Sequence, residues 1–192
     1  EAERAFRQVN KLDSDCAMAY WGMAMSNFNN SKRAKVFMEE AEKRKEGVSD
    51  VERRFIEALS AYQKAEPNKK KERAEKYTKD LEDICIKYPK NIEAKAFLAL
   101  QLWSNRYNGI PITSYVAIDS ILQQVFAINP KHPSHHYRIH LWDYKDAATA
   151  VTSANQCGQT TPGIAHMWHM PGHIFSRLKR YDDAVWQQEA SA

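Results

Sequence analysis

From end to end, the apolar residues of this 192-residue chain recur at helical spacing, and nowhere does a two-residue alternation persist over six or more residues. A chain without strands must bury its apolar stripes helix against helix. The periodic segments cover 1–12, 16–28, 32–46, 50–65, 70–87, 91–104, 113–127, 134–143, 145–156, 164–178 and 181–192. Turn formers separate them: Asp13-Ser14-Asp15, Gly47 with Ser49-Asp50, Pro67-Asn68, Pro89-Lys90-Asn91, Gly109 to Pro111, Asn129-Pro130 and Gly158 to Gly163. Short links between helices of similar length make neighbours antiparallel. The expectation is therefore an all-α chain of antiparallel helix pairs, forming a single domain over 1–192. The pattern is already helical at Glu1 and still helical at Ala192, which reads as a piece of a longer protein truncated at both ends.

Composition narrows the functional classes. A hydrophobic fraction of 43% supports a core, and the net charge of +4 is modest. Much of the basic excess sits in Lys69-Lys70-Lys71-Glu72-Arg73, which reads as a solvated helix start. No stripe of Arg and Lys with interleaved aromatics appears, so nucleic acid is not an expected partner. No apolar run approaches the ~18 residues of a membrane span. Cys16, Cys85 and Cys157 lie far apart and make no disulfide framework. Cys157 falls in a glycine-containing stretch that reads as a loop, with no partner for a nucleophile. Localisation stays open.

Polar chemistry concentrates in one window, because all seven histidines lie between His132 and His173. His136/His140 and His169/His173 are each four residues apart and share a helix face, and His166 joins the second set. On a wheel of about 100° per residue with Trp168 at zero, Pro171, Gly172 and Phe175 fall near 300°, 40° and 340°. These mark a packing face. His169, His173 and His166 fall near 100°, 140° and 160°, as a stripe away from it. His132 and His135 flank Pro133 at a helix start and read as local structure.

The segments also repeat. Ile86-Lys87-Tyr88-Pro89-Lys90-Asn91 parallels Ala127-Ile128-Asn129-Pro130-Lys131-His132, and Pro89, Pro130 and Pro162 are 41 and 32 residues apart. These spacings bracket the ~34-residue tetratricopeptide period. The stretch from Ile164 to Ala192, with Trp168, Gly172, Phe175, Tyr181 and Ala184 in order, resembles one tetratricopeptide repeat. The copy at Ala17 carries Tyr20, Met23, Ala24 and Asn27 at the same spacing, with Ala24 in the glycine's place. The copy at Ser134 departs from the pattern, because Asp143-Tyr144-Lys145-Asp146 cuts its first helix short. The segments His136-Tyr137-Arg138-Ile139-His140 and His166-Met167-Trp168-His169-Met170-Pro171-Gly172-His173 further resemble a bacterial group of tetratricopeptide proteins. The resemblance implies a right-handed superhelical solenoid of helix pairs, with the histidine stripe lining its concave groove. It implies no reaction.

Imidazoles on the first helices of neighbouring repeats could converge, since such axes run about 8–10 Å apart. His136, His140, His166, His169 and His173 are thus candidate ligands for a transition metal such as Zn, Cu or Fe. Asp143 is a candidate acceptor for an imidazole N–H, and Tyr137, Tyr20 and Asn27 are candidate groove residues. Met167 and Met170 are soft donors, with packing the better reading for Met167. The pattern lacks the Glu after the first His that a zinc-protease motif requires. Three readings stay open: a metal site, which could serve a metal-dependent hydrolase or oxidoreductase; a polar groove for a peptide or protein without metal; and structural hydrogen bonding. A small molecule at the metal is a further candidate partner. No catalytic residue is indicated.

Overall fold

The computed structural model describes residues 1–192 and is helical throughout, without strands. Eleven α-helices follow in order: α1 (Ala2–Leu12), α2 (Ala17–Ser26), α3 (Ser31–Arg44), α4 (Asp50–Lys64), α5 (Lys70–Lys87), α6 (Ile92–Ser104), α7 (Tyr115–Ile128), α8 (His135–Trp142), α9 (Val151–Thr160), α10 (Ala165–Arg177) and α11 (Tyr181–Ala190). No helix is long and apolar enough to cross a membrane. The chain forms two compact units, Glu1–Lys90 and Asn91–Ala192.

Local sequence explains where the helices begin. Ser49 and Glu52 form a reciprocal capping box on α4. The side chains of Asn30, Asn91 and Ser114 accept backbone N–H groups at the starts of α3, α6 and α7. Each satisfies a donor that the first helical turn leaves without a partner.

In the first unit, α1 to α5 pack in succession and α2 also touches α4. Its core holds Met23, Ile56, Leu59, Leu81 and Ile84, all nearly free of solvent. Trp21 is buried against Phe55 and donates Nε1–H to the Phe55 carbonyl at 3.1 Å. The small Gly22 lies under the Phe6 ring, where a Cβ would stand 2.3 Å from it.

In the second unit, α6 packs on α7, α8 on α9, and α10 on both α9 and α11. The first members of these pairs also touch: α6 meets α8, and α8 meets α10. Leu122, Ile139, Leu141, Cys157, Met170, Ile174 and Phe175 fill the core. A second buried layer is polar. Arg138 donates to Asp119 at 2.6 Å, and Trp142 donates its indole N–H to the same carboxylate at 2.8 Å.

One helix departs from expectation. The chain turns through a short 3-10 segment, Ala147–Ala150, and α9 begins only at Val151 and runs through Gly158. Cys157 is therefore a fully buried helical residue, not a loop residue. The reason is tertiary: the Trp168 ring occupies the space of the missing Gly158 side chain, where a Cβ would lie 2.3 Å away. Gly158 serves close helix approach inside α9, although alone it reads as a breaker.

Candidate functional site

The histidines separate by environment. His132 and His135, at the start of α8, are buried and fully hydrogen-bonded. Nδ1 of His132 accepts the Ser134 backbone N–H at 3.1 Å, so its Nε2 donates to Glu93 at 3.1 Å. That bond holds the Glu93 carboxyl below its usual range. Nε2 of His135 donates to the Pro130 carbonyl at 2.9 Å and Nδ1 accepts from Ser153 at 2.9 Å. The His135 ring stacks flat on Phe126, with centroids 3.9 Å apart. With both nitrogens committed, these two residues build the helix start.

The other five imidazoles form one ribbon across α8 and α10. His136 and His140 lie one turn apart on α8 with ring centroids 4.6 Å apart. His166 from α10 meets His136 edge to face at 4.9 Å. One nitrogen from each of His136, His140 and His166 lies within 4.8 Å of the others. Further along α10, the His169 ring lies 6.0 Å from that of His166 and 4.8 Å from that of His173.

Burial decides the protonation of the α8 pair. Desolvation, reinforced by His140 and His166, pulls the His136 pKa down to about 3. Desolvation and His166 pull His140 down to about 4 against the opposing pull of Asp143. Both imidazoles are neutral near pH 7, with a lone pair each for a metal or a donor. Nε2 of His136 is buried and has no hydrogen-bond partner in the protein. Buried polar atoms are nearly always paired, and this is one of five side-chain atoms here that are not, and the one that belongs to a histidine.

The walls of the site come from α6 and from the turn after it. Trp103 tilts against His140 at 4.9 Å and donates its indole N–H to the His140 carbonyl at 2.9 Å. Arg106 lies over the Trp103 ring at 4.2 Å and over the Tyr107 ring at 4.8 Å. Tyr107 itself is 68% exposed. The place of Trp103 beside His140 depends on α6 meeting α8.

The remaining candidates are distributed as follows. Asp143 is buried near His140, but its carboxylate is held by Arg177 at 3.0 Å. Tyr137 lies beside His136 at 6.0 Å, and burial pushes its hydroxyl up to about 12. Tyr20 and Asn27 belong to the first unit. Tyr20 lies under the Arg44 guanidinium at 4.5 Å, and Asn27 donates to Glu3 at 2.7 Å. Met170 and Met167 are core residues, 3% and 7% exposed. The buried sector of α10 is wider than the wheel's marker residues, because Met167, Ile174 and Met170 extend it round to near 200°, about 40° from His166. The histidine stripe still falls outside it.

No family model matches the chain, and no curated protein matches it. Among solved structures, one described as "MamA MSR-1 C2" matches at 15% identity and a TM-score of 0.56, covering 91% of this chain and 94% of that one. A second, "Crystal structure of YrrB: a TPR protein with an unusual peptide-binding site", matches at 14% identity and a TM-score of 0.53, covering 99% of this chain and 92% of that one. Both are tetratricopeptide repeat proteins. The fold of this chain is the tetratricopeptide-repeat fold. In its terms, α6, α8 and α10 are first helices of successive pairs. The histidine ribbon and Trp103 thus come from three adjacent first helices.

Proposed function

We propose that this chain is a tetratricopeptide-type scaffold that binds a peptide or protein, and that its histidine ribbon carries a transition-metal centre ligated by His136, His140 and His166. The observation that carries the metal reading is the convergence of three nitrogens within 4.8 Å from two neighbouring helices. His136, a member of that triad, also has a buried Nε2 that is unpaired within the protein. Ligands at 2.0–2.1 Å around a tetrahedral ion stand about 3.3 Å from one another, so rotation of the rings must draw the triad inward. Bound metal would satisfy a nitrogen that is otherwise costly to bury. Three protein nitrogens leave a coordination position open, which a water, a small molecule or a group of a bound peptide can take.

The binding half of the reading rests on fold and surface. The YrrB structure is described as having a peptide-binding site. Here the histidine ribbon is bordered by Trp103 and Tyr107, which meet edge to face with Arg106 over both rings, an aromatic and cationic edge. That edge also favours a second reading, in which the same surface holds a peptide without metal.

The test is metal analysis of the protein as purified, followed by zinc and copper titration of the metal-free form. Tight binding that disappears in a His136→Ala/His140→Ala variant of unchanged helicity supports the centre. Absence of metal, with a melting temperature unmoved by either ion, sinks it. The metal-free reading predicts partner binding that survives chelator and fails in Trp103→Ala.

A further inference from the structure

Two imidazoles of the ribbon stand outside the triad, and their protonation can be assigned from their neighbours. The side-chain amide of Gln188, on α11, donates Nε2–H to the His169 carbonyl at 3.4 Å. That turns its Oε1 toward Nδ1 of His169, at 2.6 Å. An amide oxygen only accepts, so Nδ1 carries the His169 proton and Nε2 carries the lone pair. Nε2 of His173 stands 3.0 Å from that lone pair and donates to it. Gln188 in turn has its seat in the space left by Gly172: a Cβ there would stand 2.1 Å from the Gln188 amide nitrogen. The missing side chain of Gly172 thus lets Gln188 reach His169, and Gln188 directs the ligating nitrogen of His169 toward His173.

We propose that His169 and His173 form a second transition-metal site, separate from the triad, with Gln188 as the residue that positions His169. Their Nε2 atoms are already 3.0 Å apart, close to the spacing of about 3 Å that adjacent nitrogens adopt on one ion at 2.0–2.1 Å. On binding, the His173 proton moves from Nε2 to Nδ1, which frees the Nε2 lone pair for the ion. His173 is exposed and His169 half-buried, so the remaining coordination positions face outward. Two imidazole nitrogens with open positions suit Cu(II) or Ni(II), whose tetragonal preference tolerates water at the other sites. The inference adds a centre to the metal reading above but stands on its own ligands.

Cu(II) titration of the metal-free protein tests it, followed by calorimetry and by electron paramagnetic resonance. Two equivalents are expected, one lost in His169→Ala/His173→Ala and the other lost in His136→Ala. Gln188→Leu should weaken the pair site about 10–100-fold, the usual cost of losing the group that orients a ligand. Gln188→Glu should restore it, because a carboxylate accepts the same Nδ1–H. Gly172→Ala should behave like Gln188→Leu. If the triad fails as a site, His136→Ala changes nothing while the pair variants still lose copper, which leaves this proposal standing. One equivalent lost equally from both sets of variants overturns it. So does unchanged affinity in Gln188→Leu at wild-type helicity. Independently of any variant, the nitrogen NMR spectrum of the metal-free protein should show His169 as the Nδ1–H tautomer, and an Nε2–H tautomer overturns the assignment.

Discussion

The imidazole of His136, on α8, meets that of His166, on α10, edge to face with ring centroids 4.9 Å apart. Thirty sequence positions separate them, and only the packing of two neighbouring first helices brings them into contact. The buried edge of His136 has no hydrogen-bond partner in the protein. Leaving that nitrogen unpaired is a stability cost.

That cost is measurable. Replacing a buried unpaired polar atom by an apolar group of similar size is neutral to stabilising, since the penalty removed is about 1–3 kcal/mol. His136→Leu is therefore expected to leave the metal-free protein as stable as the wild type or more so, while abolishing metal binding at the triad. Urea denaturation in the presence of chelator checks this, and a loss of stability above about 1 kcal/mol would contradict it.

Gly158 is expected to tolerate no side chain. Gly158→Ala places a methyl group within 2.3 Å of the Trp168 ring, and overpacking of this kind costs about 1–3 kcal/mol. The measurement is chemical denaturation with Trp fluorescence, in which both the midpoint and the native emission should shift.

The Arg138–Asp119 pair is nearly buried, with side chains 9% and 15% exposed. Asp119→Ala leaves the guanidinium without its counter-ion, with only a 3.5 Å contact to Ser153, and also removes the acceptor of the Trp142 indole. A loss of about 3–5 kcal/mol is expected, read from urea melts. A loss under about 1 kcal/mol would show that the pair is not the anchor of this layer.

Cys157 should differ sharply from the other two thiols. It is fully buried, and burial pushes its pKa up to about 12 from an ordinary 9.0. A raised folded-state pKa contributes stability that is present below pH 9 and is lost as the pH climbs from there toward 12, where only the unfolded thiol ionises. Alkylation at pH 8 followed by peptide mass spectrometry should label Cys16 and Cys85, which are partly exposed, before Cys157. The alkaline decline in melting temperature should be shallower in Cys157→Ala. Equal labelling of the three thiols would refute the burial argument.

A smaller effect is expected at Ser49. Its hydroxyl and the Glu52 carboxylate close the first turn of α4, and Ser49→Ala should cost about 1 kcal/mol, measurable by thermal melting.

Periodicity, caps and turn residues lie within a few positions of one another, so the chain itself carries the eleven helices and most of their ends. The capping residues Asn30, Ser49, Asn91 and Ser114 each act on the backbone N–H three positions on, a contact that lies within the local sequence. The angular separation of the α10 histidines from the buried face is legible for the same reason, because a helix converts spacing directly into direction. Contacts between helices are of another kind. Gly158 reads as a breaker until Trp168 is placed over it. Gln188 carries no local mark of its bond to His169, and Trp103 none of its place beside His140. The five candidate ligands also divide into a triad and a pair for a reason absent from their spacing. His166 sits opposite His136 across the α8–α10 contact, whereas His169 is drawn toward Gln188 on α11. Spacing along one helix sets which way a side chain faces, and only packing between helices sets what it meets.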